Sequence, residues 1–379
     1  MNILLLAIAF IVALYWLISV VQWLRYVKTI PLFEVTDCFK DEAIYPTLSV
    51  ILPACNEEEC IEQAVRQLIT QDYPNLEVIV VNDRSTDNTG VILEKLLVQF
   101  PQLKVVTIDV LPSNWLGKNH AIDQGVRHAT GEWLLLTDAD VMFSPRSLKK
   151  TVSYALKHSL DHLTIVPDVY YGGVFYRAFL AYFAHTFFSL AMVTHKVGLG
   201  AFNLVKTSVY QEIGGYATIA LYPLDDMSFG KRVVEQGYKQ GLGCSGTGFI
   251  KVKWYESFFD LLKGFEKNQF SSMKYRVSAV IGLCIYSLVT NIYPFAGLFF
   301  GPLWARVLCG ISVLSLFVAY NHLAKIMGIS RSYFLLHPLS ALLFLGAMLN
   351  SMVKTINRGG IEWRGTFYSL EDLKKQMRN

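Results

Sequence analysis

The sequence predicts a mostly parallel α/β domain, with helices on both faces of its sheet, attached to a membrane by one N-terminal and about three C-terminal transmembrane helices. Hydrophobic residues make up 53% of the 379 residues and charged residues only 17%, which is typical of chains with membrane segments. Long uncharged runs lie near both ends of the sequence. Between these runs, short β-branched stretches alternate with amphipathic stretches of about 10–15 residues, the pattern of parallel sheets.

The first membrane segment is the uncharged run 3–24, which is followed by Arg25 and Lys28. It is longer than the core of a signal peptide and lacks an A-x-A cleavage pattern, so it predicts a retained anchor over residues 1–27. Basic residues after the span place the next segment in the cytoplasm. We therefore expect an integral membrane protein with its globular domain facing the cytoplasm.

Three further apolar runs, 278–302, 307–324 and 333–353, predict C-terminal membrane helices over 278–356 and leave a polar tail, 357–379. The side of the tail is open at this point. Three spans after a cytoplasmic domain would put it outside, whereas the basic residues in the tail and just before it favour the inside. These are Lys354, Arg358, Arg364, Lys374 and Lys375. Either one run is re-entrant or the tail departs from the charge rule.

Two other stretches are predicted to lie at the membrane surface. Segment 174–193 is apolar but carries Arg177 and His185. If it crossed the membrane, the carboxylates of the predicted site described below would lie on opposite sides. We therefore expect a helix in the headgroup plane, with a buried helix as the alternative. Residues 251–277 predict amphipathic helices at the membrane surface.

The globular domain, 28–250, predicts its ligand site at one edge of its sheet. The predicted strands are 47–53, 76–81, 104–108 and 132–137, and the predicted helices are 60–70, 89–100 and 119–129. Polar pairs follow three of the strands: Asn56 with Glu57, Asp83 with Asp87, and Asp138 with Asp140. Because ligands of such sheets bind outside the carboxyl ends of the strands, these pairs indicate one site.

Asp138 and Asp140 end a buried strand, and residues i and i+2 of a strand point to the same side. Two carboxylates presented together repel each other unless a cation lies between them. Mg²⁺ is usually bound through one or two carboxylates together with substrate phosphates. The pair therefore predicts a site for Mg²⁺ or Mn²⁺ and a phosphate group; the alternative is a solvated turn.

Three other positions are candidates for binding or catalysis. Asp83 could accept a hydrogen bond from a base or a ribose hydroxyl, or merely close an Asx turn. Lys118, next to a predicted helix start, could contact a diphosphate, or could be a surface lysine. Asp226, in the acidic pair Asp225-Asp226 at another helix start, could act as a general base, or could only cap the helix.

Six segments in a fixed order resemble the inverting glycosyltransferases of family 2, which have a GT-A nucleotide-diphospho-sugar domain. The segments are PACNEE, VVNDRSTDNT, WLGK, GEWLLLTDAD, GAFNLVKTSVYQEIGGY and a helix that starts with two aspartates. The resemblance covers about 47–268. KVKWYESFFDLLKGFEKN and RGGIEWRGTFYSLEDL are similar to the membrane-attached subgroup that includes ceramide glucosyltransferase-like enzymes and bacterial carotenoid and hopanoid glycosyltransferases.

The resemblance implies a role for each matching residue. The nucleotide base and ribose would be surrounded by Pro53, Ala54, Asn56, Glu57 and Asp83. Lys118 would lie near the uracil or the diphosphate. Asp138 and Asp140 would bind the metal, Asp140 more directly. Asp226 would be the catalytic base, and Asp225 stands where the family has glutamate.

Family members often carry a Q/R-x-x-R-W motif after the core domain, and this chain departs from it. The nearest match is Gln269, Lys274 and Tyr275, which would contact the leaving UDP or the acceptor. Lysine and arginine are not interchangeable in bidentate phosphate contacts. Processive polysaccharide synthases depend on this motif, so the departure favours a single transfer.

The expected function is transfer of one sugar from a UDP-sugar to a hydroxyl of a membrane lipid, with inversion. The alternatives are a polyprenyl-phosphate sugar transferase or a short-chain polysaccharide synthase of the same fold, and a catalytically silent membrane scaffold. A transporter is disfavoured because the C-terminal spans contain no acidic residue. The net charge of +4 is too small and too dispersed to indicate a nucleic-acid partner.

Overall fold

The structure, a computed structural model, describes residues 2–36, 44–169 and 172–377. It divides the chain into two units. An α/β unit consists of Pro31–Tyr170 and Lys196–Trp254. A helical unit consists of Met1–Ile30, Tyr171–His195 and Tyr255–Asn379. Helices and strands are numbered below in chain order.

The α/β unit is built on an eight-stranded sheet with the order β1-β10-β7-β9-β5-β2-β3-β4. A second sheet has the order β6-β11-β8. The strands are β1 (Leu32–Phe33), β2 (Leu48–Ala54), β3 (Leu76–Asp83), β4 (Leu103–Ile108), β5 (Trp133–Leu136), β6 (Val141–Phe143), β7 (His162–Val166), β8 (Asp168–Val169), β9 (Asn203–Lys206), β10 (Gln240–Ser245) and β11 (Ile250–Val252).

The four strands predicted from the sequence are neighbours in this sheet, in the order β5-β2-β3-β4, and all pair in parallel. Their side chains alternate between two cores. Val50 and Val80 pack into one core, and Ile51 and Ile79 pack into the other. Because both faces are buried, each strand reads as a continuous apolar run. The predicted mostly parallel α/β sheet is confirmed.

The sheet also contains an antiparallel strand that the sequence did not reveal. β9 lies between β5 and β7 and runs antiparallel to both. It is four residues long, and its position depends on pairing with strands distant in sequence. β9 follows directly on the segment 197–202, so its insertion beside β5 brings that segment to the carboxyl end of β5.

Helices cover both faces of the large sheet. They are α2 (Ile61–Ile69), α3 (Thr89–Gln99), α4 (Gly117–Arg127), α5 (Ser147–Lys157), α7 (Thr207–Glu212), α8 (Asp225–Glu235) and a 3-10 helix, Gly215–Ile219. The predicted helices 60–70, 89–100 and 119–129 correspond to α2, α3 and α4. α4 starts two residues earlier than predicted, at Gly117.

The helical unit contains mostly long apolar helices. Its elements are α1 (Asn2–Val27), α6 (Val174–Thr194), α9 (Phe258–Ser272), α10 (Val277–Ser287), a π-helical turn Leu288–Ile292, α11 (Tyr293–Gly297), α12 (Leu303–Met327), a 3-10 helix Arg331–Leu336, α13 (His337–Arg358), β12 (Gly360–Trp363), β13 (Thr366–Ser369) and α14 (Leu370–Gln376). Within the described residues, four helices are long and apolar enough to cross a membrane: Ile3–Val27, Val277–Gly297, Leu303–Met327 and Arg331–Arg358. One is N-terminal and three are C-terminal, as predicted.

Segment 174–193, which is apolar but carries Arg177 and His185, forms α6 and lies in the helical unit, not in the α/β unit. About half of its residues are buried. The His185 ring lies 5.9 Å from the Trp16 ring and 5.6 Å from the Tyr320 ring, so one side of α6 packs against α1 and α12. Its location in the headgroup plane stays a prediction.

Two predicted segments are more structured than expected. In 251–277, β11 extends to Val252, and a single helix, α9, begins only at Phe258. In the tail, 357–379, β12 and β13 form an antiparallel hairpin that is followed by α14. The Ser369 side chain caps α14 by accepting from Asp372 N.

Candidate active site

Asp138 and Asp140, whose D-x-D pattern is called the DxD motif below, follow β5 at its carboxyl end, as predicted. The Thr137 N–H donates to the Ile51 carbonyl of β2 at 3.2 Å, which extends the pairing of the two strands by one residue. The Asp138 N–H then donates to the Gly200 carbonyl at 3.1 Å. Hydrogen bonds on both sides of the chain therefore fix the backbone that carries Asp138 and Asp140.

Asp140 lies in a negative, half-buried environment. Burial raises its pKa, and the carboxylates of Asp138 and Glu57 raise it further, to about 7, while Lys118 lowers it. No group of three or more His, Cys, Asp and Glu side chains in the described part of the chain could hold a metal ion by itself. Two carboxylates that share their remaining sites with phosphate oxygens are, however, a donor set that suits Mg²⁺. The residues therefore fit a divalent ion that arrives with a diphosphate.

Asp226 is the second residue of α8, and two backbone amides hold its carboxylate. Oδ2 accepts from Gly200 N at 2.8 Å, and Oδ1 accepts from Met227 N at 2.7 Å. Burial and the neighbouring carboxylate of Asp225 raise the pKa of Asp226 to about 7, against the lowering effect of Lys118 and of the two amides. A carboxylate with a pKa near neutrality can take a proton at physiological pH, which suits a general base.

The peptide groups of Gly200 link the two aspartate sites. Its carbonyl accepts from Asp138, and its N–H donates to Asp226. A Cβ at this position would lie 2.5 Å from Asp138 Oδ2, so only glycine fits without displacing the DxD motif. A single residue, Gly200, therefore bonds to both Asp138 and Asp226, although Asp226 lies 86 positions after Asp140 in the sequence.

Lys118, the second residue of α4, is the cation of this cluster. Its Nζ lies 2.6 Å from Asp138 Oδ1 and 3.5 Å from Asp225 Oδ2. Burial lowers the pKa of Lys118, but the carboxylates of Asp138 and Asp225 outweigh this effect and raise it above its usual value. The ammonium therefore stays charged and offsets part of the negative charge. Its contact with a diphosphate stays a prediction.

Three supporting residues were not identified from the sequence. The buried Asn119 side chain donates to the carbonyls of Ile219 at 2.9 Å and Tyr222 at 3.1 Å, which ties the start of α4 to the loop before α8. The Tyr216 hydroxyl donates to Asp225 Oδ2 at 3.3 Å. Gly200 is the third. Asn119 adjoins the WLGK segment, and Gly200 and Tyr216 are the first and last residues of the segment GAFNLVKTSVYQEIGGY, but neither segment shows which residues of another loop they contact.

The predicted nucleotide-binding residues lie at the carboxyl ends of β2 and β3. Asn56 does not cap α2, which begins at Ile61: the Asn56 Oδ1 accepts from Thr86 N at 2.7 Å, and the Asn56 N–H donates to Ser85 Oγ at 3.0 Å. Glu57 N donates to Thr89 Oγ1 at 2.8 Å. These bonds join the loop after β2 to the loop after β3. The left-handed backbone of Asn56, with φ 57°, allows this turn.

Asp83, the last residue of β3, is only 3% exposed. Its carboxylate accepts two hydrogen bonds from the Arg84 guanidinium, from Nε at 2.8 Å and from a terminal nitrogen at 3.0 Å. Pro53 and Ala54 end the adjacent strand β2. The structure thus brings these residues to one sheet edge, and their contacts with a nucleotide stay predictions.

Gln269, Lys274 and Tyr275 belong to the helical unit. Gln269 is buried on α9, and the Tyr275 ring packs edge-on against Phe270 at 5.3 Å. Lys274 and Tyr275 both have left-handed backbone, with φ 51° and 55°. Such consecutive residues are strained and mark the turn between α9 and α10. Their predicted contacts with UDP or the acceptor stay predictions.

The helix that carries Asp225 and Asp226 packs unusually closely on the segment before β9. A Cβ on Gly230 of α8 would lie 1.9 Å from the Val197 carbonyl oxygen. We expect Gly230→Ala to lower the free energy of unfolding by about 3 kcal/mol, because backbone atoms cannot move aside as a flexible side chain can. Thermal unfolding of the detergent-purified protein measures this. Gly282→Ala on α10, where a Cβ meets nothing within 4 Å, is the control and should be neutral or slightly stabilising. Equal stability of the two variants would contradict the close packing.

Comparison with known proteins agrees with this geometry. Residues 49–212 match the family described as Glycosyl transferase family 2. The chain is 26% identical over 345 residues to the 4,4'-diaponeurosporenoate glycosyltransferase of Staphylococcus aureus strain MRSA252, covering 86% of this chain and 89% of that protein. It is also similar in structure to the mannosyltransferase PcManGT of Pyrobaculum calidifontis, solved with GDP-Man and Mn²⁺, with a TM-score of 0.54 and 19% identity over 93% of this chain and 99% of that one. The last similarity confirms the GT-A-like α/β fold.

Proposed function

Because the chain carries a glycosyltransferase family 2 domain and is a glycosyltransferase, we propose that it transfers one sugar from a UDP-sugar to a hydroxyl of a membrane lipid, with inversion at the anomeric carbon. The observation that carries this proposal is that the Gly200 peptide joins Asp138 to Asp226, while Lys118 pairs with Asp138 and Asp225. The carboxylates of Asp138 and Asp140, with Asp226 and its raised pKa beside them, support a metal-bound diphosphate next to a general base.

In the proposed reaction, Asp226 removes the proton from the acceptor hydroxyl. The acceptor oxygen attacks the anomeric carbon from the face opposite the diphosphate, and the bond between that carbon and the diphosphate oxygen breaks. The leaving group is UDP. Asp138 and Asp140 would hold Mg²⁺ or Mn²⁺, which neutralises the charge on the leaving diphosphate when it is bound. A single displacement needs no covalent sugar on the protein.

Two observations support a lipid acceptor. The described residues include four helices that could cross a membrane. In addition, a relative similar over 86% of this chain carries the name of a glycosyltransferase that acts on a diaponeurosporenoate. We propose that the protein lies in the bacterial inner membrane, with its catalytic domain facing the cytoplasm, where nucleotide sugars are present.

A panel of labelled donors tests this function. Membranes containing the protein are incubated with UDP-glucose, UDP-N-acetylglucosamine, UDP-galactose or GDP-mannose, and the lipids are extracted. We expect one UDP-sugar to label a lipid that carries a single sugar. A sugar ester on a lipid phosphate would support a polyprenyl-phosphate transferase, and a ladder of products would support a short-chain polysaccharide synthase. Label that stays water-soluble with every donor would support the scaffold.

The pKa of Asp226 predicts the pH dependence of the reaction. The base must be ionised, so kcat should rise with pH and reach its plateau above about 7, since the pKa of Asp226 is raised to about 7. Asp225→Asn removes the adjacent negative charge and therefore lowers the pKa of Asp226. We expect the pH of half-maximal kcat to fall by about one unit. Asp109→Asn, at an exposed position after β4, is the control. An unchanged midpoint, or a shift to higher pH, would contradict the coupling of Asp225 with Asp226.

A further inference from the structure

We propose that the 3-10 helix Arg331–Leu336 and α13 form a re-entrant element. The chain then crosses the membrane three times, through α1, α10–α11 and α12. α13 returns residues 359–377 of the tail to one particular side of the membrane. This is the side where α1 ends and where the chain continues into the α/β unit. This inference rests on the membrane location proposed above. It follows from the directions of the helices within the helical unit, which the contacts below establish.

α12 runs in the same direction as α1. At the start of both helices, a Cβ on Gly301 would lie 3.9 Å from Leu5. Further along, Ala9 packs with Ala305 and Cys309. Further still, Val12 and Trp16 pack with Leu316 and Tyr320. Later residues of α1 therefore meet later residues of α12, so α12 ends on the side where α1 ends.

α10 and α11 run in the opposite direction. The Tyr293 hydroxyl donates to the Leu5 carbonyl at 3.1 Å, and Trp16 Nε1 donates to the Thr290 carbonyl at 2.9 Å. The Tyr15 and Tyr286 rings meet edge-on at 6.0 Å. Earlier residues of α1 thus meet later residues of α10–α11. Val277, the first residue of α10, must therefore lie on the side where α1 ends.

α13 ends on this same side, because its last turns contact α9. The Phe270 N–H donates to Ser351 Oγ at 3.0 Å. Lys354 pairs with Glu266 at 2.5 Å, and Arg358 pairs with it at 3.3 Å. α9 ends only four residues before α10 begins, so it lies where α10 starts. The end of α13 is therefore held on the side where α1 ends.

The first residue of α13 lies in the interior of the helical unit, and the chain reaches it from the side where α1 ends. His337, its first residue, shares a hydrogen bond with the Tyr320 hydroxyl at 2.9 Å through Nδ1 and with Asn291 Oδ1 at 3.1 Å through Nε2. Asn291 adjoins Thr290, the residue that meets Trp16 near the middle of α1. α13 thus starts at about half depth. The segment 328–336 runs from the end of α12 to this depth, and α13 then returns to the same side. The chain therefore enters the membrane here without crossing it.

Burial makes the re-entrant element compatible with a membrane. Irregular backbone at membrane depth is tolerated only where it is buried in protein. The Phe334 ring packs 5.4 Å from Phe317, 5.9 Å from Tyr320 and 5.7 Å from Phe295. His337 is fully buried, and both of its ring nitrogens have partners. Phe334 and His337 therefore bury one side of the tip against α10–α11 and α12, whereas Leu335, an apolar residue, is 75% exposed.

The basic residues agree with three crossings. On the side where α1 ends, the helix ends and connections carry Arg25, Lys28, Lys274, Arg276, Lys325, Arg331, Lys354 and Arg358, and the tail adds Arg364, Lys374 and Lys375. At the opposite ends of the crossing helices, over the described residues 2–5 and 297–306, Arg306 is the one lysine or arginine. Such an excess marks the cytoplasmic side. The conflict between three C-terminal spans and a basic tail disappears.

Cysteine labelling tests the re-entry. Lys375→Cys in the tail, Lys95→Cys on α3 and Phe300→Cys in the connection between α11 and α12 are introduced singly, with the six native cysteines replaced. Cells are treated with a membrane-impermeant maleimide before and after permeabilisation. We expect Phe300→Cys to react in intact cells, and Lys375→Cys and Lys95→Cys only after permeabilisation. Lipid glycosylation by each variant shows that it is folded.

The comparison of Lys375→Cys with Lys95→Cys decides the inference. If they react in different compartments, or if Phe300→Cys reacts in the same compartment as Lys95→Cys, the re-entry is wrong. If Lys95→Cys and Lys375→Cys both react in intact cells while Phe300→Cys does not, the re-entry holds and only the proposed cytoplasmic orientation fails. As a second measurement on the unaltered protein, trypsin should cleave after Lys95 and Lys375 in the same sealed vesicles. Cleavage at only one of them would likewise overturn the inference.

Discussion

Replacement of Asp226 by asparagine is expected to reduce kcat by about 10²–10⁴-fold, the usual contribution of a general base. Asparagine has nearly the same shape, but its single side-chain oxygen can accept from only one of Gly200 N and Met227 N, so we expect α8 to remain folded with one of these two hydrogen bonds lost. What the variant loses is a group able to take the acceptor proton. Binding of the UDP-sugar, measured by calorimetry, should therefore stay within a few-fold of the parent protein.

Asp225→Asn is the matched control for this experiment. It changes the adjacent residue of the same helix turn and removes a partner of Lys118 and Tyr216, but it leaves the base in place. We expect it to keep far more activity than Asp226→Asn at pH values above 7. If Asp226→Asn retained activity within ten-fold of the parent, or if Asp225→Asn were the more damaged variant, the assignment of the base would be wrong.

Much of the α/β unit could be predicted because its signals are local. β2, β3, β4 and β5 appear in the sequence as short apolar runs, each ended by a polar residue. The carboxyl ends of parallel strands meet at one edge, so Asp83, Asp138 and Asp140 could be placed together before any contact was known. The acidic helix start made Asp226 a candidate base, and the family resemblance favoured that role, although no periodicity connects Asp226 with Asp140.

The contacts that join these residues could not be predicted, because they depend on non-local pairing. β9 inserts antiparallel beside β5, and only this insertion brings the Gly200 peptide between Asp138 and Asp226. Every residue except proline has a backbone N–H, so the sequence does not show which N–H binds a given side chain. For the same reason, Lys118 could be read as a phosphate contact but not as the partner of two carboxylates. Asn56 could be read as a helix cap, whereas its oxygen binds a loop 30 residues away.

The membrane part shows a related limit. Hydropathy identified the four apolar helices, since length and composition suffice for that. It could not give their directions, which follow from specific contacts such as Tyr293 with Leu5 and Lys354 with Glu266. Nor could it assign α6, whose Arg177 and His185 made the segment ambiguous. His185 lies buried between Trp16 and Tyr320, where an aromatic environment accommodates its ring.

Replacement of Asp140 by asparagine is expected to lower the transfer rate at low metal concentration by at least about 10²-fold, because a bound cation contributes several kcal/mol to neutralising a leaving diphosphate. Burial and the carboxylates of Asp138 and Glu57 raise the pKa of Asp140, and a bound cation would offset this by stabilising the ionised carboxylate. Treatment of the parent protein with a chelator should abolish transfer, and Mn²⁺ or Mg²⁺ should restore it.

A metal titration separates this role from a structural one. If Asp140 binds the ion, Asp140→Asn should need a higher concentration of Mn²⁺ for half-maximal rate, and excess Mn²⁺ should recover part of the activity. A loss of folding would give a lower rate at every concentration with the same midpoint. Asp109→Asn is the control: Asp109 is exposed and is not among the residues of the proposed site, so this variant should need the same Mn²⁺ concentration as the parent for half-maximal rate. Full activity of Asp140→Asn in the presence of chelator would show that the reaction depends on Lys118 and other cations of the chain rather than on a metal at the DxD motif.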